Sequence, residues 1–441
     1  MSNAPHIVVI GAGMAGLAAA SRIAFGERRG GTPSRATVEL VEASDRVGGR
    51  VATDVVDGPG GAYRVDRGFQ VYLSPYAWPA RWLDLKALEL RPFMPGALVW
   101  NGARAATVAH PLREPLAALA GIVAGIVPPR DALRMLPFAR TALRGPSGEA
   151  GEPAGKSALS RLEAAGISPR TIDTFFRSFF GGVFFDRSLE TDASRLDYLL
   201  RMFAEGFACV PARGMAEIAR QLAEPLGDRI STGARVERIE TAPNGAQVVV
   251  LEGGERRTSD AVIVATGAQD LARLVPSVGG IEWCGTMSAW FATPDRAQLP
   301  KWLVLNGSGR GGHTVGAFSH GAAMSSIAPD YAPAGRGLFV ANTAYLPRDA
   351  DTSRDLAEDM RRTLREILGA EATDGWELVA VQRIRHALPR QWPQDLARRL
   401  PSMLSPRTFV AGDHLEDASI NGAVRSGHLA AESCLQALGA A

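Results

Sequence analysis

The stretch Val8–Ala20, VVIGAGMAGLAAA, carries a strand, a turn and a helix start in succession. Ile7–Ile10 is a short, mostly β-branched run suited to a buried parallel strand. Gly11, Gly13 and Gly16 follow as G-x-G-x-x-G, with Met14 and Ala15 opening the helix. The first glycine permits a sharp turn, and the second lets backbone approach a pyrophosphate. The third lets the helix pack closely on the strand, so that free N–H groups at its N-terminus aim at the phosphate. A second strand, Thr37–Val41, ends in Glu42 and Ala43. A carboxylate there can accept both hydroxyls of an adenosine ribose. It lies later than the usual ~20 residues, and the polar insert GERRGGTPSRA accounts for the excess. This is a dinucleotide-binding βαβ unit, a device that NAD and FAD share.

Composition narrows what such a unit serves. With 441 residues and 46% apolar content the chain can bury the cores of two domains. A net charge of +2 provides no global field for nucleic acid, which is excluded as a partner. Cys209, Cys284 and Cys434 are odd in number and far apart, so neither a disulfide framework nor a metal cluster is expected, and a reducing cytosol is. The first residues show no basic region or cleavage site. No run reaches the ~18 apolar residues of a spanning helix, and the longest candidate, 115–129, is bounded by prolines. The expectation is a cytoplasmic protein, peripheral to a membrane at most; nothing in the sequence sets an oligomeric state.

The choice between the two dinucleotides falls to other segments. Gly48, Gly49 and Arg50 give a second close backbone approach with a guanidinium beside it, suited to the other face of a pyrophosphate. Together GAGMAGLAAA, VEASDRVGGR and FVAGDHLEDASINGAVRSGHLAAE resemble the superfamily of flavin-containing amine oxidases, phytoene desaturases and protoporphyrinogen oxidases, closest to its desaturase-like branch. That resemblance implies an α/β fold in which a Rossmann-type FAD-binding domain (1–71, 205–268 and 390–441) carries an inserted α+β substrate domain (72–204 and 269–389, a helical part plus a mixed sheet). It implies non-covalent FAD, since no cysteine lies just before Asp413. Gly11, Gly13, Met14, Ala15 and Gly16 would cradle the pyrophosphate, with Glu42 and Ala43 at the adenosine ribose. Arg46, Gly49, Arg50 and Gln70 would lie near the phosphates and flavin, and Val236 would meet the adenine. Gly412 and Asp413 would face the ribityl chain. Ile420 and Ala423 would open a helix whose positive end favours the reduced flavin.

The middle of the chain reads less sharply. Residues 72–194 look largely helical, interrupted by a loop around Gly145–Lys156. Phe175, Phe176, Phe179, Phe180, Phe184 and Phe185 exceed what one helix face can bury, leaving a packed core and an apolar substrate tunnel as alternatives. An apolar helix near 115–129 is followed by Arg130, Arg134, Arg140 and Arg144, a pairing that either lies on an anionic membrane or forms a solvated basic face. GTMSAWFATP and GLFVANTAYL read as strands, and SRDLAEDMRRTLREIL is an amphipathic helix.

Amine oxidases of the superfamily carry a lysine near the flavin and two aromatic rings around the amine. The matching positions here are Ala289 and Ser419, and the three lysines, Lys86, Lys156 and Lys301, lie elsewhere. The leading expectation is therefore hydride removal from a C–H bond of a small apolar, isoprenoid-like substrate. An amine or amino-acid oxidase and a flavin-dependent isomerase without net redox change stay open. His386 and His414 are the candidate bases, each weighed against a structural or surface role.

Overall fold

Strand His6–Ile10 lies inside a six-stranded sheet, in the order Ile230–Ser231, Thr37–Val41, His6–Ile10, Ala261–Val264, Thr408–Val410 and Met403–Ser405. The first five run parallel and only the last pair is antiparallel. The computed structural model describes residues 4–441 apart from 110–113, 146–148, 279, 295–298, 312–315 and 347–352. A parallel sheet must be covered on both faces, which is why these strands read as continuous apolar runs. Ile7 and Val9 point into a core shared with the helices Met14–Phe25 and Ile420–Ala437. Val8, Ile10, Val262 and Val264 point the other way, onto Val249 and Leu251 of the three-stranded meander Val236–Thr241, Gln247–Leu251 and Arg256–Ser259. The two helices touch at backbone level: a Cβ on Gly427 would fall 2.0 Å from the Ala15 carbonyl oxygen.

A seven-stranded sheet stands beside it, in the order Glu377–Pro389, Trp283–Thr293, Gly337–Asn342, His320–Ala323, Leu303–Asn306, Gly96–Trp100 and Ala105–Ala109. Its outer face is covered by the helix Ser353–Leu368 through Met360 and Leu364. The last two strands correct the helical expectation for residues 72–194. Gly96–Trp100 and Ala105–Ala109 form a hairpin turned by Asn101 and Gly102. Gly102 takes φ +96°, and the Asn101 side chain accepts the N–H groups of Ala103 and Arg104. Asn-Gly is a strong hairpin signal, and it overrides the helical reading here. The hairpin then joins Leu303–Asn306 in parallel.

Two short strands, Tyr72–Leu73 and Arg91–Pro92, pair with Ala208–Val210, and the later middle residues carry helices that include Pro115–Val123, Pro129–Ala142 and Ala193–Glu205. The described part of the expected loop, residues 149–156, has no regular structure. The phenylalanine run forms a π-turn, Ile172–Phe176, continued by the helix Arg177–Phe184. Phe176 and Phe180 are fully buried in the core and stack at 5.8 Å, and Phe175, Phe179 and Phe184 pack half-buried against them. Arg134 leaves the expected basic face: its guanidinium donates to the Gly166 carbonyl.

Candidate active site

At the carboxyl ends of the parallel strands, where ligands of such sheets bind, lies a cavity of about 260 Å³. Gly11, Gly13, Met14, Ala15, Glu42, Ala43, Gly49, Arg50 and Val236 all line it, joined by Thr266, Gly267 and Arg273. Gly11 turns the chain at φ +102°, and a Cβ on it would fall 2.7 Å from the Ala265 carbonyl oxygen. Gly13 has open space where a side chain would stand, while Gly49 backs onto it, its own Cβ position 3.2 Å from the Gly13 Cα. The Gly48 N–H donates to the Ala12 carbonyl at 2.8 Å, locking the two glycine turns together.

Glu42 is already engaged. Its Oε2 accepts the Ala12 N–H at 2.7 Å and its Oε1 accepts the Ser44 N–H at 2.9 Å, while the Ser44 hydroxyl lies 2.7 Å from both that Oε1 and the Arg46 carbonyl oxygen. A carboxylate has about four acceptor positions. Two are taken by backbone N–H groups, and the others are open to hydroxyl donors. Gly16 stands behind the cavity as the close-packing glycine. Arg46 is also outside the lining: its guanidinium braces the turn by donating to the carbonyls of Val47 and Gly49, at 3.2 and 3.1 Å. Burial and the neighbouring Arg67 pull its pKa down.

Arg50 ties three distant segments together. It pairs with Asp413 at 2.5 Å, donates to the Ala387 carbonyl at 3.0 Å, and lies over the Trp283 ring. Gln70 in turn donates to the Arg50 carbonyl at 2.8 Å. Gly412 lies flat against His414, whose ring a Cβ there would meet at 2.4 Å. Ile420 and Ala423 open the C-terminal helix, with Ser419 as its N-cap accepting the Gly422 N–H.

Beside that N-cap is a second cavity, of about 80 Å³, walled by Phe184, Leu199, Leu388 and Pro389 together with Arg195, Asp417 and Ser419. The two candidate bases stand apart from it. His386 packs edge-on to Trp283. His414 is half-buried next to Asp413 with Nε2 unpartnered among the described residues, and desolvation of its ring lowers its pKa to about 4. Ala289 needs correction. Along Trp283–Thr293, Met287, Ala289 and Phe291 face the core under Ser353–Leu368, whereas Trp290 and Ala292 face the main core. The inward-facing Trp290 shares the Gln382 side chain with the Gly68 N–H. The matched position therefore points away from the site, and the inward residues Ser288, Trp290 and Ala292 include no lysine.

Sequence reasoning missed Arg195 and Asp417 altogether, because nothing local marks them. Arg273 was also missed; it lies on the helix Ala268–Leu274, which follows the strand Ala261–Val264.

A doubly covered parallel sheet with a two-glycine cradle and a carboxylate at the next strand's end defines a dinucleotide-binding protein. The model of the flavin-containing amine oxidoreductases matches residues 14–435, and the chain belongs to that family. Its cofactor is FAD. The chain is similar to a putrescine oxidase redesigned in cofactor binding (TM-score 0.68, 16% identity, 98% and 99% of the two chains). A protein from Exiguobacterium, provisionally described as a protoporphyrinogen oxidase, superposes with TM-score 0.71 at 15% identity over 99% of each chain. The L-amino-acid oxidase of Bungarus fasciatus is 44% identical over 81 residues, 18% of this chain and 12% of that protein. The two cradling turns and the open space at Gly13 fit a bound FAD pyrophosphate.

Proposed function

We propose that this FAD-dependent oxidoreductase dehydrogenates a substrate with an apolar, isoprenoid-like body by removing hydride from one of its C–H bonds. The observation that carries this reading is the wall at Ser419. Where an amine-binding aromatic ring would be expected, a small hydroxyl caps the C-terminal helix and donates to Asp417. Phe184, Leu199 and Leu388 stand around it. Bound FAD supplies the two-electron acceptor. The chain's own part is to hold a C–H bond still and to exclude water, which needs apolar walls more than an acid or base. The helix beginning at Ile420 presents its positive end to the site, and Arg50 with Asp413 fixes the segment leading into it. The test is anaerobic mixing with an isoprenoid hydrocarbon, a primary amine or an L-amino acid, followed by visible absorbance. Bleaching by the hydrocarbon alone is expected; bleaching by the amine or amino acid replaces this reading with an oxidase.

The surface favours a lipid source for such a substrate. On Pro115–Val123, Leu116 and Val123 are 83% and 76% exposed. On Pro129–Ala142 and the residue after it, Leu133, Leu136 and Leu143 share one exposed face with Arg130 and Arg140. Leucines interleaved with arginines suit an anionic bilayer, the apolar side chains entering it and the guanidinium groups staying at the headgroups. Among the described residues, no helix is long and apolar enough to cross a membrane.

A further inference from the structure

Arg195 sits on the helix Ala193–Glu205 with 2% of its surface exposed, and it lines the cavity beside Ser419. Its Nε and Nη2 have no hydrogen-bond partner among the described residues. These two nitrogens form one edge of the guanidinium plane, the edge that takes a carboxylate side-on through two parallel hydrogen bonds.

An unpaired cation in a protein interior is costly, and burial already pulls the Arg195 pKa down to about 10. Asp417, Asp192 and Glu416 offset part of that charge from nearby, and each also accepts hydrogen bonds or pairs elsewhere. Asp192 accepts from Ala154 N, Gly155 N, Ser194 N and the Ser194 hydroxyl. Glu416 pairs with Arg425. Asp417 accepts the Ser419 hydroxyl. Arg399 adds further positive charge nearby. Arg195 thus lines, together with Asp417, a cavity that has hydrocarbon walls at Phe184, Leu199 and Leu388.

We propose that Arg195 binds a carboxylate of the substrate side-on, so that the site takes an apolar acid: the carboxylate on Arg195, the hydrocarbon body along those walls. This rests on the reading of the cavity as the substrate site next to FAD, and it adds an anionic end to that substrate. A planar edge in about 80 Å³ suits a carboxylate better than a tetrahedral phosphate.

The test uses the FAD-loaded protein, titrated by calorimetry and by flavin absorbance. The ligands are straight-chain carboxylates of increasing length, their matched amides, and inorganic phosphate. Arg195→Met and Arg195→Lys are carried alongside. Carboxylates are expected to bind, to tighten with chain length and to shift the flavin spectrum, with amides and phosphate about 10- to 100-fold weaker. Arg195→Met should lose the carboxylate preference, and Arg195→Lys should keep part of it. Because Nε and Nη2 make no hydrogen bond and a buried cation is costly, Arg195→Met should keep its FAD and melt no lower than the wild type.

Equal binding of acid and amide, unchanged binding in Arg195→Met, or a sharply lowered melting temperature in that variant would each overturn the proposal. The last would mean a structural partner, and no binding at all would mean that water alone serves the edge. If hydrocarbons bind and bleach the flavin while carboxylates do not bind, the proposal fails and the dehydrogenase reading stands. If Arg195-dependent binding leaves the flavin spectrum unchanged, the cavity does not adjoin the cofactor, and both fail together.

Discussion

A methyl group on Gly16 would lie 1.8 Å from the Gly11 carbonyl oxygen, and no flexible side chain stands between them to yield. Gly16→Ala must therefore push the helix Met14–Phe25 off its strand. Loss of FAD together with a destabilisation of about 2–4 kcal/mol is expected, read from flavin content and urea midpoints; a variant that keeps both would refute the close-packing role. Glu42 holds its turn by accepting the N–H groups of Ala12 and Ser44. Hydrogen bonds to a charged group contribute about 1.5–3 kcal/mol, so Glu42→Ala should weaken FAD by at least about tenfold in a fluorescence titration of the apoprotein. These residues were legible because glycine spacing and a carboxylate at a strand end act locally, wherever the rest of the chain goes. Arg195 and Asp417 were not. What distinguishes Arg195 is that its neighbours are spoken for, and that depends on hydrogen bonds made from residues as far off as Ala154 and Ser419.

Among the elements, the parallel strands, the meander and the helix Ser353–Leu368 could all be read from apolar period. The hairpin at Asn101-Gly102 could have been, from its turn alone. The face presented by Trp283–Thr293 could not. A strand flips every side chain with a one-residue shift, so matching Ala289 to a site position without gaps placed it on the wrong side. The helix Pro129–Ala142 shows the opposite case, an amphipathic pattern that turns its leucines outward. Its mixed face predicts that Leu133→Glu with Leu136→Glu loses co-sedimentation with anionic phospholipid vesicles, while flavin content stays unchanged. Wild type should pellet with anionic vesicles and much less with neutral ones. Equal recovery of both proteins in the supernatant would remove the bilayer as the occupant of this face.

At the scale of the molecule, each sheet is assembled from segments that alternate along the chain, and Arg50 joins residues 387 and 413 to the glycine turns. That the two ends meet was legible, since both carry parts of one cofactor site. How the middle closes over them was not, and its closure buries titratable groups. His320, in the centre of the second sheet, packs on Phe69 and lies under Gly182, whose Cβ position is 2.8 Å from its Nδ1. Burial, with Arg187 close by, lowers its pKa to about 4. Between that value and the unfolded 6.5 the unfolded chain binds more protons, so stability falls as pH drops through this window. Asp66 works the other way. Burial raises its pKa to about 6 although Thr53, Met215 and Tyr331 donate to it, so its neutral form favours the fold as pH drops below 6. The two slopes oppose each other, and the melting curve of the wild type alone would hide both. His320→Gln separates them, because Asp66 is common to both proteins and cancels in the difference. Relative to that variant, the wild type should lose about 2–3 kcal/mol between pH 7.5 and pH 4.5, measured as urea midpoints at each pH. A difference that stays constant across the range would mean that His320 titrates in the folded protein as it does in the unfolded chain, and a difference of opposite sign would mean that the fold holds it charged.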